Sequence, residues 1–119
     1  MIVSLVGRER GRFAFIASAY DFSAVVDSRP IYKNRKLVPS NYAEMAGKEV
    51  FLYYHASAGA WAISAMMGSN LPIAFAKSTV LKPSDIKSPW YIRAEVGYAL
   101  DTQLELIIGW LLSFIFTVQ

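Results

Sequence analysis

The chain has 119 residues, no cysteine, one histidine and a net charge of +3; it is 55% hydrophobic, 14% aromatic and 18% charged, with a mean hydropathy of +0.32. That length holds one domain, or one small domain with an appendage. The apolar content excludes intrinsic disorder, the lack of cysteine excludes a disulfide framework or thiolate metal site, and one histidine excludes a multi-histidine metal centre.

Charge is unevenly spread. Residues 1–36 carry seven Lys/Arg against three acids, whereas residues 94–119 carry three acids and no base. A pI near 9.3 is too weak a basic excess to argue for nucleic acid. The N-terminus lacks the order of a cleavable signal, because its short apolar stretch precedes the charges instead of following them.

In chain order, Ile2–Val6 reads as a strand. The basic turn Gly7-Arg8-Glu9-Arg10-Gly11-Arg12 follows, with glycines suited to positive φ. Its arginines fit either a solvated turn between strands or a contact to phosphate or lipid headgroups. Residues 12–20 read as a second strand, although their alanines also permit a helix, and 23–27 and 31–33 as short strands around a turn at 27–30. Pro30 cannot donate to a ladder and belongs at a strand start or an edge. Residues 37–48 lack a clear period and contain Pro39, Ser40, Asn41 and Gly47, which makes a long loop with one helical turn near 42–46.

The strongest local signal is residues 50–64. An aromatic and branched strand through Phe51, Tyr53 and Tyr54 meets a loop ending in Gly59, then a strand with Trp61 and Ile63 on one face and Ala62 and Ser64 on the other. A turn at 68–70 leads to a strand at 73–77, where Ile73 and Phe75 point one way and Ala74 and Ala76 the other. Residues 83–86 form a turn or a single helical turn, and Pro89 opens an extended piece through Trp90, Tyr91 and Ile92. Turn signals every 8–12 residues favour an antiparallel meander or small barrel of five to six strands before residue 93.

From residue 94 the apolar positions Val96, Leu100, Leu104, Leu111, Ile115 and Val118 follow helical spacing, and residues 106–118 carry no charge. Those thirteen residues span roughly 20 Å as a helix, short of the roughly 30 Å hydrocarbon thickness of a bilayer. Asp101, Glu105, Gly109, Ser113 and Thr117 recur every four residues, so small side chains line one side of that helix, as in closely packed membrane helices. A helix apolar all round needs apolar surroundings. Trp110 and Phe114 then meet a membrane or a partner helix, although a core helix on the sheet, or a strand at 112–118, also fits the pattern.

Chemical motifs are few. His55 and Ser57 lack the acid and the geometry of a nucleophilic triad, and the histidine reads as a hairpin-edge residue bonding locally. No metal-ligand spacing, phosphate loop or cofactor fingerprint is present. Asp101 and Glu105 read as the solvated start of the helix rather than a catalytic pair. Tyr53, Tyr54, Trp61 and Trp90 form either a stacking platform for sugars, bases or peptides, or the core of a small sheet.

Residues 29–90 carry RPIYKN, FLYYHASAGAWAIS, GSNLPIAFAKST and PSDIKSPW in order. This pattern resembles a short aromatic-rich β module found singly or in tandem in algal and other protist proteins. The resemblance implies a structural or binding module with no assigned activity and brings no site residues. The long 37–48 loop and the apolar tail depart from it.

The expectation is therefore a mainly β (α+β) chain: a β-rich module over 1–93 and an apolar C-terminal helix over 94–119. It acts as a non-catalytic binding or structural module, without cofactor, docked to a protein partner or membrane through 94–119. A small integral subunit of an energy-transducing membrane assembly, or a soluble glycan- or peptide-binding domain, are the alternatives.

Overall fold

The computed structural model describes residues 2–8 and 10–108. They form one antiparallel sheet of β1 (Ile2–Val6), β2 (Ala19–Val26), β3 (Arg29–Asn34), β4 (Phe51–His55), β5 (Ala60–Ser64), β6 (Ala74–Lys77), β7 (Trp90–Arg93), β8 (Tyr98–Asp101) and β9 (Glu105–Ile108). The spatial order is β8-β7-β6-β5-β4-β3-β2-β1-β9. The first eight strands are thus a meander, and β9 returns to pair with β1.

That order forces curvature. β8 and β9 lie at opposite edges of the sheet, yet only residues 102–104 join them. Such a link reaches at most about 14 Å, whereas nine strands laid flat at about 4.8 Å spacing would span about 38 Å. The sheet therefore curls into a half-barrel until its two edges approach each other at this corner.

The concave face holds the core. Tyr32, Leu52, Ile63, Ala74 and Ile92 are register neighbours across five strands, and all are buried in one cluster. A parallel row runs through Tyr54, Trp61, Ala76 and Trp90. Two indoles flank Ala76 in that row, so only a methyl group fits between them. This explains why Ala74 and Ala76 face inward on β6 while Phe75, the largest side chain of the strand, faces out. One end of the core is closed by Phe13, Phe15 and Tyr42: the Tyr42 ring lies 5.2 Å from Phe13 and 5.0 Å from Phe15. Its hydroxyl accepts the Phe13 N–H at 2.7 Å. The 37–48 loop that carries Tyr42 is pinned at its base by Val38 N–H to the Lys48 carbonyl (2.9 Å) and Gly47 N–H to the Val38 carbonyl (2.8 Å).

The mainly β class stands, and so does the 50–64 hairpin, with Gly59 left-handed at φ 60. Several expectations do not. Seven strands precede residue 94, not five or six. The strand expected at 12–20 is instead a 3-10 turn at Ala14–Ile16, entered through Phe13 at φ 59, with β2 starting only at Ala19. The short strands at 23–27 and 31–33 belong to one longer hairpin, turned at Asp27 and Ser28 with φ 51 and 67. Both positive values suit the tight hairpin turn that matches strand twist. Pro30 is tolerated there because β4 pairs with β3 only from Tyr32 onward.

The largest correction concerns the C-terminal helix. Residues 94–108, expected as its first half, form β8 and β9 and belong to the sheet. Val96, Leu100 and Leu104 fit a helical period, but Tyr98 and Leu106 complete a period of two equally well, and short apolar runs do not separate the two. Gly97, at φ 66, turns the chain back after β7, where a helix would have continued. The residues expected on the membrane or partner face of that helix, Gly109, Trp110, Ser113, Phe114 and Thr117, lie outside the described residues. Among the described residues no helix is long and apolar enough to cross a membrane.

Candidate functional site

Of the four aromatic candidates, three are buried. Trp61 is 0%, Trp90 2% and Tyr53 4% exposed. The Trp61 indole N–H donates to the Val80 carbonyl at 3.0 Å. Tyr53 lies on the convex face, where its hydroxyl meets Ser64 Oγ at 2.9 Å and accepts the Gly68 N–H at 2.9 Å. Tyr53 and Tyr54 both line one surface cleft and Trp90 lines another; the Arg29 guanidinium lies over the Tyr54 ring at 3.7 Å. Arg29 is itself tied to the Thr79 and Val80 carbonyls at 2.6 and 3.3 Å. These side chains do not converge into one platform.

The adjoining cleft, of about 460 Å³, is lined in part by Tyr54, His55, Ser57 and Asp27. Ser57 Oγ and His55 Nδ1 meet at 3.1 Å, the local contact expected of this histidine. Among the described residues no hydrogen bond joins Asp27 to the imidazole, so the histidine lacks the orienting acid that a nucleophilic serine requires. No group of three or more His, Cys, Asp or Glu among the described residues is placed to hold a metal.

A cleft of about 980 Å³ lies at the corner where the sheet edges approach. Arg8, Arg10 and Arg12 enter it from the β1–β2 connection and Arg93 from the end of β7; Ala99, Leu100 and Asp101 of β8 form the opposite wall. This geometry follows from local chain chemistry. Gly7 takes φ +98, and a Cβ there would sit 1.8 Å from the Gln103 carbonyl oxygen. Only glycine lets the two segments pass so closely. Arg8 then bridges them: Nη1 donates to Asp101 Oδ2 at 2.8 Å, and Nε donates to the Arg12 carbonyl at 2.7 Å. Both partners of the ion pair are largely shielded, their side chains 20% and 12% exposed.

The other cations are less well matched. Arg12 and Arg93 pack over the buried Phe13 ring at 5.2 and 5.8 Å. Arg93 donates through Nη2 to the Leu71 carbonyl, but its buried Nε has no hydrogen-bond partner among the described residues. Arg10 is exposed. Among the described residues, four guanidinium groups thus face two carboxylates, Asp101 and Glu95, and one carboxylate is already engaged by Arg8. Sequence reading found the arginine triplet. It missed Arg93 and assigned Asp101 to a helix cap, since no local pattern connects residues 8 and 101.

Elsewhere, two ion pairs form among the described residues, Lys33–Glu49 and Arg35–Asp21. Arg35 binds both carboxylate oxygens of Asp21 at 2.9 Å, which holds that carboxyl below its usual range. Burial pushes the Tyr20 phenol well above its ordinary value; its hydroxyl donates to the Ile16 carbonyl at 2.8 Å. Comparison with protein-family models, curated proteins and solved structures finds no match for this chain.

Proposed function

We propose that the chain is a non-catalytic binding module whose working site is the arginine-lined corner cleft, and that it takes a ligand or partner carrying negative charge. One observation carries this reading: the guanidinium excess of Arg8, Arg10, Arg12 and Arg93 around a cleft of about 980 Å³. Guanidinium forks match carboxylate and phosphate oxygens in planar, bidentate fashion. The resemblance of residues 29–90 to an aromatic-rich module without assigned activity agrees with a scaffold role for the remainder of the sheet.

Calorimetric titration with tripolyphosphate tests the reading. The intact chain is expected to bind, with affinity falling as salt rises, and Arg10→Ala/Arg12→Ala is expected to lose at least tenfold. Equal binding by both proteins would refute it.

Docking through the C-terminal stretch belongs to the same proposal. The sequence beyond β9 is uncharged through Val118, and among the described residues β9 is an edge strand. If that stretch docks, the full chain partitions into detergent micelles and a chain ending at Ile108 does not; identical partitioning counts against docking.

A further inference from the structure

The corner cleft has a second property besides charge: one of its walls is a free strand edge. Among the described residues β8 pairs only with β7. The Ala94 N–H bonds the Gly97 carbonyl at 2.9 Å across the β7–β8 turn, and that fixes the parity of the ladder. In an antiparallel pair hydrogen-bonded and non-bonded positions alternate, so Ala99 and Asp101 turn their backbone groups toward β7. Tyr98 and Leu100 turn theirs outward. The Arg93 N–H points the opposite way, to the Ile73 carbonyl at 2.8 Å, as the same parity requires. The edge is open: Leu100 is 53% exposed and Ala99 is also exposed.

Resting on the anion-binding reading above, we infer that the cleft captures an extended acidic peptide, which adds to β8 as a further strand. Main-chain hydrogen bonds to Tyr98 and Leu100 would provide affinity, and alternate side chains would provide selectivity. On the added strand, residues i and i+2 point the same way about 6.6–6.8 Å apart. On the concave side they face the loop that bears Arg8, Arg10 and Arg12. The small Ala99 methyl leaves room there for carboxylate side chains.

Single-stranded nucleic acid fits less well: it needs exposed aromatic faces beside the cations, whereas the ring next to Arg12 and Arg93 is Phe13, 2% exposed.

The test uses the full chain and a fluorescein-labelled ten-residue peptide of alternating Glu and Val, read by anisotropy. Two altered components separate the edge from the charge. One is the same peptide N-methylated at every second residue. The other is Leu100→Pro, which removes an outward N–H without removing a ladder bond of the protein. The unmodified peptide is expected to bind, with at least a tenfold loss for each alteration and for Arg10→Glu/Arg12→Glu, and with weaker binding of a ten-nucleotide polyuridine. If the arginine variant loses binding but N-methylation costs nothing, strand addition is wrong and the anion site survives. If the arginine variant binds normally, both readings fail. Polyuridine binding as tight as the peptide would overturn the peptide assignment. The N-methyl arm decides the case even if Leu100→Pro does not fold.

Discussion

The middle of the sheet and its closing corner are built on different principles. From β3 to β7, neighbouring strands are neighbours in sequence, and the concave face is a continuous array of buried aromatic and aliphatic side chains. At the corner, segments more than ninety residues apart are joined by the β1–β9 ladder, by one ion pair, Arg8 to Asp101, and by the close passage of Gly7 over Gln103. Apolar burial is non-directional and strong, and suits a scaffold. Charge held in partial excess beside an open edge costs stability and suits recognition. On the proposed reading, the contrast separates a scaffold built from the best-packed aromatics from a binding corner built from charge.

Mutations should expose that division. Trp61→Ala, in the middle, is expected to cost about 3–5 kcal/mol in urea unfolding while leaving tripolyphosphate binding intact in whatever fraction stays folded. Gly7→Ala, at the corner, is expected to cost about 2–5 kcal/mol, combining positive-φ strain with a forced shift of Gln103, and to weaken anion binding as well. A double-mutant cycle on Arg8 and Asp101 should return a coupling of about 1–2 kcal/mol, because the pair is shielded. The same cycle on the exposed pair Lys33–Glu49 should return about 0.5 kcal/mol or less. Equal couplings would erase the distinction between the corner ion pair and an ordinary surface one.

An alkaline pH dependence comes from β2, next to that middle region. Tyr20 is fully buried and its phenol is raised by desolvation, so the unfolded chain releases that proton first. Its contribution is complete below pH about 10, the unfolded value, and is lost as pH climbs from there toward the folded value, by about 1.4 kcal/mol per pH unit. Tyr20→Phe should flatten that alkaline decline in a urea series run from pH 9 to 11.

The parts of this fold that sequence reading recovers are those written locally. The 50–64 hairpin is legible because strand propensity, a left-handed glycine and side-chain alternation all agree within fifteen residues. The partition of β5 into a Trp61/Ile63 face and an Ala62/Ser64 face follows from the same alternation. What fails is what depends on distant partners. Residues 94–108 carry apolar positions compatible with two periods, and pairing with β7 and β1 decides between them. Residues 12–20 look like a strand because they are apolar, but the Phe13 and Phe15 rings are needed to plug the core end under Tyr42, which draws the chain into a 3-10 turn. The site is half legible. Arg8, Arg10 and Arg12 stand out as a cluster, whereas Arg93, Asp101 and the open edge of β8 become part of it only once the sheet has curled.

Backbone amide mapping by NMR during a tripolyphosphate titration compares the two regions in one experiment. The expected result is movement concentrated at residues 7–12 and 93–103, with the 51–64 hairpin unmoved. Movement centred on the Tyr54–His55 cleft or on the outer face where Phe75 stacks on Tyr91 at 5.3 Å, or none anywhere, would contradict the assignment of binding to the corner.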